Sequence, residues 1–342
     1  MIKALKALEE KKLPFVVFKH PNSNELELYF QEDDRLYLTQ DFSEQGFLMA
    51  PFNVTNSYPF IPNKNHKKFD LSFYKESNSS DISFGNENRE AFITLVEKAL
   101  VEFSESVTEK IVLSRSIPVS ISDSEPINTF VNLANLYPTA FVYYWHHPKT
   151  GSWMGATPER FASLSNNELH TISLAGTSIA KEDEKPIWSE KELQEQQLVT
   201  VSIEDSLRSI YPNSKIEIGS VQTVQAGSIY HLKTDIRLKS DDLSLFKIAK
   251  ALHPTPAVGG VPKKNSLEFI LKNEGHNRKY YTGFLGPFDS DHHASLYVNL
   301  RCAELIPSGY RVYVGAGITT KSIPLNEWEE TKRKAKTFCK AL

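Results

Sequence analysis

Ala140-Phe141-Val142-Tyr143-Tyr144-Trp145-His146 is followed by Pro148-Lys149-Thr150-Gly151 and then by Trp153-Met154-Gly155-Ala156. An apolar, aromatic-rich run, a turn bracketed by proline and glycine, and a second apolar run make a β-hairpin. Residues 161–164 and 170–174 carry it on as a meander. Strands joined by short turns run antiparallel. The fold class is therefore α+β, because runs of strands interrupted by helices recur along the chain with little strand–helix–strand alternation.

Outward from the meander, residues 90–103 have helical spacing, with Phe92, Leu95, Val96, Ala99 and Phe103 on one face. Strand periodicity covers 110–119, and a short helix is predicted over 126–134. A long helix over 188–210 stops before Pro212, and two strands fill 220–238. Helices are predicted over 243–252, 266–273 and 324–342, and 295–305 pairs with 310–318 across Pro307-Ser308-Gly309. The amino-terminal third reads as strands and turns: 15–19, 25–30 and 35–38. A polar connection runs from 62 to 88, with Ser77-Asn78-Ser79-Ser80-Asp81 as a surface loop.

The chain has 342 residues, 40% hydrophobic and 24% charged, which is ordinary for a soluble globular protein. A net charge of −3 without a basic stripe argues against a nucleic-acid partner. The first residues lack the apolar run of a signal peptide, and no segment has the apolar length of a membrane span. Cys302 and Cys339 make neither a disulfide framework nor a zinc site. A cytoplasmic location is expected. No nucleophile-elbow serine and no nucleotide-binding glycine fingerprint is present.

Five segments carry side chains suited to chemistry. They are Lys110-Ile111-Val112-Leu113-Ser114-Arg115, Gly155-Ala156-Thr157-Pro158-Glu159-Arg160, Leu174-Ala175-Gly176-Thr177, His253-Pro254-Thr255-Pro256-Ala257-Val258-Gly259-Gly260, and Glu327-Trp328-Glu329-Glu330-Thr331 with Lys334. Taken alone, each has an ordinary reading. Lys110 is a lysine at the start of a strand, Glu159 a turn glutamate after a proline that ends ladder pairing, and His253 a capping or core-bonded histidine. In the last helix Trp328, Ala335 and Leu342 recur every seven residues, and Glu327, Glu330 and Lys334 share the adjacent stripe. On a wet face, a Glu330–Lys334 pair would add only about 0.3–0.5 kcal/mol. Arg301 alternates with Tyr297 and Asn299 on one strand face and suits bidentate carboxylate binding. Glu274 and Arg278, one helical turn apart, read as structural.

In this order the five segments resemble the chorismate-utilising enzymes over roughly 91–342, about three quarters of the chain. Residues 1–85 look like a shortened, variable amino-terminal part of a single catalytic domain spanning 1–342, and 86–342 carry the motifs. Lys110 points to the isochorismate synthase branch, because the amine-transferring branch typically has glutamine there. The resemblance implies two large antiparallel sheets facing each other, helices outside and an active site in a deep cleft. It makes Lys110 the general base that activates water, and Glu159 the general acid, which needs a raised pKa to hold its proton. It assigns Glu195 and Glu330 to Mg²⁺, with Glu327 a nearby or water-mediated partner, a hard-oxygen set suited to that ion. It gives Ala175, Gly176, Thr177, His253, Arg301, Gly315 and Lys334 to the substrate.

Three positions depart from the family's usual pattern. Thr157 stands where many members have serine, Gln196 where they have histidine, and Lys279 where they have glycine. Ala175 stands where aminodeoxychorismate synthases carry a nucleophilic lysine, which argues against covalent amination. The expected activity is Mg²⁺-dependent isomerisation of chorismate to isochorismate, for menaquinone or siderophore synthesis. A monomer is expected, with no glutamine amidotransferase subunit and no nucleic-acid or membrane partner. The alternatives are a salicylate synthase and a non-catalytic chorismate-binding homologue.

Overall fold

The computed structural model describes residues 1–342 apart from 75–87, 122–124, 179–185, 227–228 and 291. The surface loop expected at 77–81 lies outside the described residues. In the amino-terminal part the strands are Phe15–Lys19 (β1), Glu25–Phe30 (β2), Tyr37–Thr39 (β3), Gln45–Ala50 (β4), Tyr58–Pro62 (β5) and Asn65–Asp70 (β6). Those that follow are Lys110–Ser120 (β7), Phe141–His147 (β8), Gly151–Thr157 (β9), Arg160–Ser165 (β10), Glu168–Ser178 (β11), Ile216–Ile218 (β12) and Gln222–Ala226 (β13). The last are Ile229–Lys239 (β14), Gly260–Val261 (β15), Phe284–Asp289 (β16), His293–Val298 (β17), Cys302–Ile306 (β18) and Gly309–Ile318 (β19). The helices are Ile2–Glu10 (α1), Arg89–Glu105 (α2), Pro126–Leu136 (α3), Glu190–Ile210 (α4), Leu245–Leu252 (α5), Lys263–Asn273 (α6) and Pro324–Cys339 (α7).

The strands form two sheets. One has nine strands, in the order β15-β7-β19-β18-β9-β8-β1-β2-β6. The other has ten, in the order β12-β14-β11-β10-β17-β16-β4-β5-β3, with β13 beside β14. Every described ladder is antiparallel. The expected α+β class and paired sheets are observed.

The layering follows from side-chain alternation. Phe18, Trp145, Trp153 and Tyr313 from the first sheet meet Phe47, Leu285 and Tyr297 from the second in an aromatic core between the sheets. Phe141 stacks on Tyr297 with ring centroids 4.2 Å apart. The outer face of the first sheet packs on α1, α3 and α7 through Leu5, Phe130 and Phe338. The outer face of the second packs on α4 and α5 through Val199, Leu207 and Ile248. A fourth cluster joins α2, α6 and α7 to β7 and β19 around Trp328.

Several features differ from the sequence expectation, among them β6 inside the connection expected over 62–88 and the unpredicted β12, β15 and β16. A helix, α1, leads the chain where only strands and turns are predicted. Leu5 is its single fully buried residue, so its apolar stripe is narrow. β4 and β5 are not predicted either. Residues 46–50 and 58–62 are buried on both faces, which removes the alternation that marks a half-exposed strand. The single strand expected over 295–305 is two strands, β17 in the second sheet and β18 in the first. The chain crosses between sheets at Asn299-Leu300-Arg301.

Candidate active site

A cleft is lined by β7 and β19 of the first sheet, β11 and β14 of the second, and helices α4 and α7. Lys110, Glu159, Ala175, Gly176, Thr177, Glu195, Arg301, Gly315, Glu330 and Lys334 all line it.

Lys110 opens β7, where it pairs with Val261 of β15, and is only 1% exposed. Its Nζ lies 3.0 Å from Glu195 Oε1 on α4. Gly317 makes room for this pair: a Cβ there would come within 2.6 Å of Glu195 Oε1 and 3.2 Å of Lys110 Cε. Gly315 has the same function one pleat on, where a Cβ would lie 2.7 Å from Leu113 O and 3.0 Å from the Tyr281 hydroxyl.

Glu159 follows Pro158 in the short link between β9 and β10. The Thr157 hydroxyl donates to Val298 O at 2.6 Å, and Val298 N donates to Glu159 O at 2.9 Å. These bonds fix the backbone so that the carboxyl is buried in the cleft. Burial pushes its pKa from 4.5 to about 8, against the opposing pull of Lys110, Lys334 and Arg301. At neutral pH it holds its proton.

The Leu174–Thr177 segment is a bulge inside β11. Its pairing with β14 shifts register between Ala175 and Ser178. Gly176 takes φ +67°, a left-handed conformation open to glycine. His231 of β14 holds this bulge. Its Nδ1–H donates to Gly176 O at 2.7 Å. Nε2 then offers a lone pair toward Arg301 Nη2 at 3.5 Å. Burial, Arg301 and Lys334 lower the His231 pKa to about 3, so the ring is neutral.

Arg301 is not on a strand face but in the crossing between β17 and β18, at φ 50°. It is buried, and its Nη1 has no hydrogen-bond partner in the protein. An unpaired buried guanidinium nitrogen is a strong demand for an anion.

The stripe on α7 does not face water. Arg115 lies over the Trp328 ring at 3.7 Å and its Nε donates to Thr331 Oγ1 at 2.9 Å, which sets the rotation of the helix. Lys334 Nζ donates to Glu330 Oε1 at 2.6 Å and to Gly315 O at 3.1 Å, both inside the cleft. Glu327 is buried behind them and takes a 2.8 Å bond from Lys191 on α4. Burial and the charge of Glu330 raise the Glu327 pKa. For Glu330, burial is outweighed by Lys334, and the pKa is lowered.

Among the described residues, no three His, Cys, Asp or Glu side chains stand as a preassembled metal cage. Instead Glu195, Glu327 and Glu330 each grip a lysine. Their donor chemistry still fits a hard divalent ion. Among the described residues Lys191 pairs with Glu327 alone; against its partial burial, the charges of Glu327 and then of the more distant Glu195 and Glu330 raise its pKa.

One expected substrate residue lies elsewhere. His253 does not line the cleft; its Nε2–H faces Pro51 O at 2.9 Å and Phe52 O at 3.0 Å. A buried imidazole satisfied by two backbone carbonyls is a structural one. Glu274 and Arg278 are structural as predicted. Arg278 bonds Glu274 at 2.6 Å, Val112 O at 2.7 Å and Val258 O at 2.9 Å, and Glu274 accepts from Ser114 N at 2.7 Å. Lys279 takes φ 50°, a conformation that suits glycine. Gln196 is buried and donates to Ser173 Oγ at 2.9 Å and Thr234 Oγ1 at 3.0 Å, tying α4 to the second sheet.

Residues 61–342 match the family of chorismate binding enzymes. The chain belongs to that family. It is 31% identical over 260 residues to the isochorismate synthase EntC of Escherichia coli strain K12, covering 72% of this chain and 66% of that relative. The "Salicylate biosynthesis isochorismate synthase" of Pseudomonas aeruginosa is 31% identical over 243 residues, covering 68% of this chain and 50% of that relative. The matches thus span half to two thirds of these relatives' lengths. In fold the chain is similar to MenF, the menaquinone-specific isochorismate synthase of Escherichia coli, with a TM-score of 0.81 at 19% identity over 96% of this chain and 88% of that one. Anthranilate synthase component I of Streptococcus pneumoniae gives a TM-score of 0.71 at 19% identity over 95% and 90% of the two chains.

Proposed function

We propose that this protein is an isochorismate synthase, converting chorismate to isochorismate. The observation that carries this reading is the meeting, in one buried cleft, of Lys110 with a Glu159 that keeps its proton to about pH 8. Lys110 takes a proton from water as the water adds at C2. The ring double bonds shift, and the C4 hydroxyl leaves with the proton of Glu159, so one water enters and one departs. Arg301, with its unpaired Nη1, and Lys334 hold the substrate carboxylates, helped by the backbone around Gly176 and Gly315. Bound by Glu195 and Glu330 with Glu327 beside them, Mg²⁺ would supply charge stabilisation at the ring carboxylate. Orientation in the cleft does much of the remaining work.

Water is the nucleophile in this reading, because Lys110 and Ala175 stand where the amine-transferring enzymes carry other residues. The product would enter menaquinone or siderophore synthesis. A cytoplasmic monomer without an amidotransferase subunit completes the reading; no helix among the described residues is long and apolar enough to cross a membrane.

The test is incubation with chorismate and Mg²⁺ in ¹⁸O-water, with the products separated. Isochorismate labelled at C2 is expected. Salicylate with pyruvate would make the protein a salicylate synthase, aminated product on adding ammonium salts would move it to the other branch, and unchanged chorismate would leave a binding protein.

A further inference from the structure

β7 carries Lys110, yet most of one of its edges has no strand beside it. β15 pairs with β7 only at Lys110 and Ile111. Beyond them two side chains stand in for the missing strand. Arg278 Nη2 donates to Val112 O at 2.7 Å, and Glu274 Oε1 accepts from Ser114 N at 2.7 Å. Both side chains are buried, and they form an ion pair with each other. Backbone groups on a buried strand edge need partners, and this pair supplies them.

Arg278 reaches further than this edge. A guanidinium has five N–H donors in one plane, and Arg278 makes five bonds with them. Nε and Nη2 take the two oxygens of Glu274, at 2.7 and 2.6 Å. Nη2 also holds Val112 O, as above. Nη1 donates to Val258 O at 2.9 Å and to Thr282 Oγ1 at 3.3 Å. Phe52 supports the plane from one face, with Cζ 4.3 Å from the ring centroid. Val112, Val258 and Thr282 come from three segments far apart in sequence, and all three line the cleft. One buried side chain therefore ties three parts of the cleft wall together from behind.

We propose that Arg278, braced by Glu274, is a positioning residue for the reaction as well as a part of the fold: it sets β7, and with it Lys110, at a fixed distance from the Val258 and Thr282 walls. Lys110 and Val112 are two residues apart on one face of β7 and both line the cleft, so a shift at Val112 is carried to the Lys110 side chain. Arg301 and Lys334, which hold the substrate carboxylates in the reading above, are not partners of Arg278, whose donors all go elsewhere. Loosening Arg278 should therefore damage the chemical step and spare substrate binding. The inference rests on the isochorismate synthase reading.

The test is steady-state turnover of chorismate by wild type, Arg278→Lys and Glu274→Gln, with folding checked by circular dichroism and each assay run well below the variant's melting temperature. Lysine keeps the charge, but one compact ammonium cannot replace a planar fork of donors. Glutamine keeps the shape of Glu274 and gives up one acceptor oxygen, so it loosens the same unit and carries the test if R278K does not fold. A misplacement of about 1 Å can cost about 10²-fold in rate, and R278K should lose kcat on that scale. KM should stay near wild type, so that kcat/KM falls in step with kcat. E274Q should lose kcat in the same way. In a Lys110→Ala background R278K should cause little further loss, because it acts through Lys110. A folded R278K with a lower melting temperature but wild-type kcat makes the residue structural alone and overturns the proposal; where R278K does not fold, an E274Q with wild-type kcat does the same. A loss confined to KM overturns it too, as does an R278K loss that multiplies in full with that of K110A. Wild type that leaves chorismate unchanged overturns the isochorismate synthase reading, and this inference with it.

Discussion

Glu159→Gln separates what the buried carboxyl does for catalysis from what it costs the fold. The ordinary pKa of 4.5 is that of the unfolded chain, and the folded value is about 8. Between these values the folded protein binds a proton that the unfolded chain has released, so stability falls as pH rises through this window. Each pH unit is worth about 1.36 kcal/mol where the difference is a full proton, and less near the folded pKa. From pH 6 to pH 8 this one group should therefore remove roughly 2 kcal/mol of stability. Glutamine mimics the protonated acid in shape and cannot ionise. Denaturant unfolding of wild type and E159Q at both pH values gives the comparison, and the difference between the two proteins cancels the other titrating groups. E159Q should gain about 2 kcal/mol on wild type over this range. Turnover should fall about 10²–10⁴-fold at either pH, since a general acid contributes on that scale. Wild-type turnover should itself decline above about pH 8 as Glu159 ionises. A stability difference that does not change with pH would show that Glu159 is already ionised in the folded protein, and the general-acid assignment would fail.

Lys110→Ala should lose about 10²–10⁴-fold in turnover while chorismate binding by calorimetry persists, because Arg301 and Lys334 remain; retention of more than about a tenth would remove Lys110 as the base. Gly317→Ala should destabilise by about 1–3 kcal/mol through overpacking and abolish turnover, since its Cβ would displace Glu195 from Lys110. Gly275→Ala is the control: its Cβ meets nothing within 4 Å, although φ is +75°, so a loss of about 1 kcal/mol in denaturant unfolding with full activity is expected. Arg278→Met leaves Glu274 buried beneath β7 without its partner and should cost about 3–5 kcal/mol, read as a lowered denaturation midpoint.

The elements legible in the sequence are those with one wet and one dry face, or with a clear turn beside them. The hairpin of β8 and β9 falls in this group, as do α4, which opens with a capping box from Ser189 and Glu192, and α7 with its apolar stripe. What escaped is what burial on both faces hides. β4 reads as five consecutive buried residues, and a short apolar run of that kind has no period to detect. The crossing at 299–301 escaped for a different reason. Alternation continues smoothly from Tyr297 to Cys302, yet Arg301 adopts φ 50° and the two halves join different sheets. Only long-range pairing of β17 with β10 and β16, and of β18 with β9 and β19, decides that break.

The candidate site was legible where a motif carries both the reacting side chain and the backbone that aims it. Thr157-Pro158-Glu159 does so: the threonine anchors, the proline ends the ladder and the glutamate is delivered to the cleft. His231 and Tyr281 were not legible, although both line the same cleft. His231 has no motif of its own. Its meaning comes from sitting across the ladder from the Gly176 bulge, where Ala175 pairs with Leu232 and Ser178 with Tyr230. Lys191 was missed for a related reason. On α4 it reads as one charged residue among many, one turn before Glu195. Its place becomes apparent only when α7 brings Glu327 against it from the other end of the chain. A lysine four residues before a glutamate is ordinary surface chemistry on an isolated helix, worth a few tenths of a kcal/mol. In the fold it is the partner of a buried carboxylate from the far end of the chain, Glu327, and that difference is set by packing, which a linear reading does not contain.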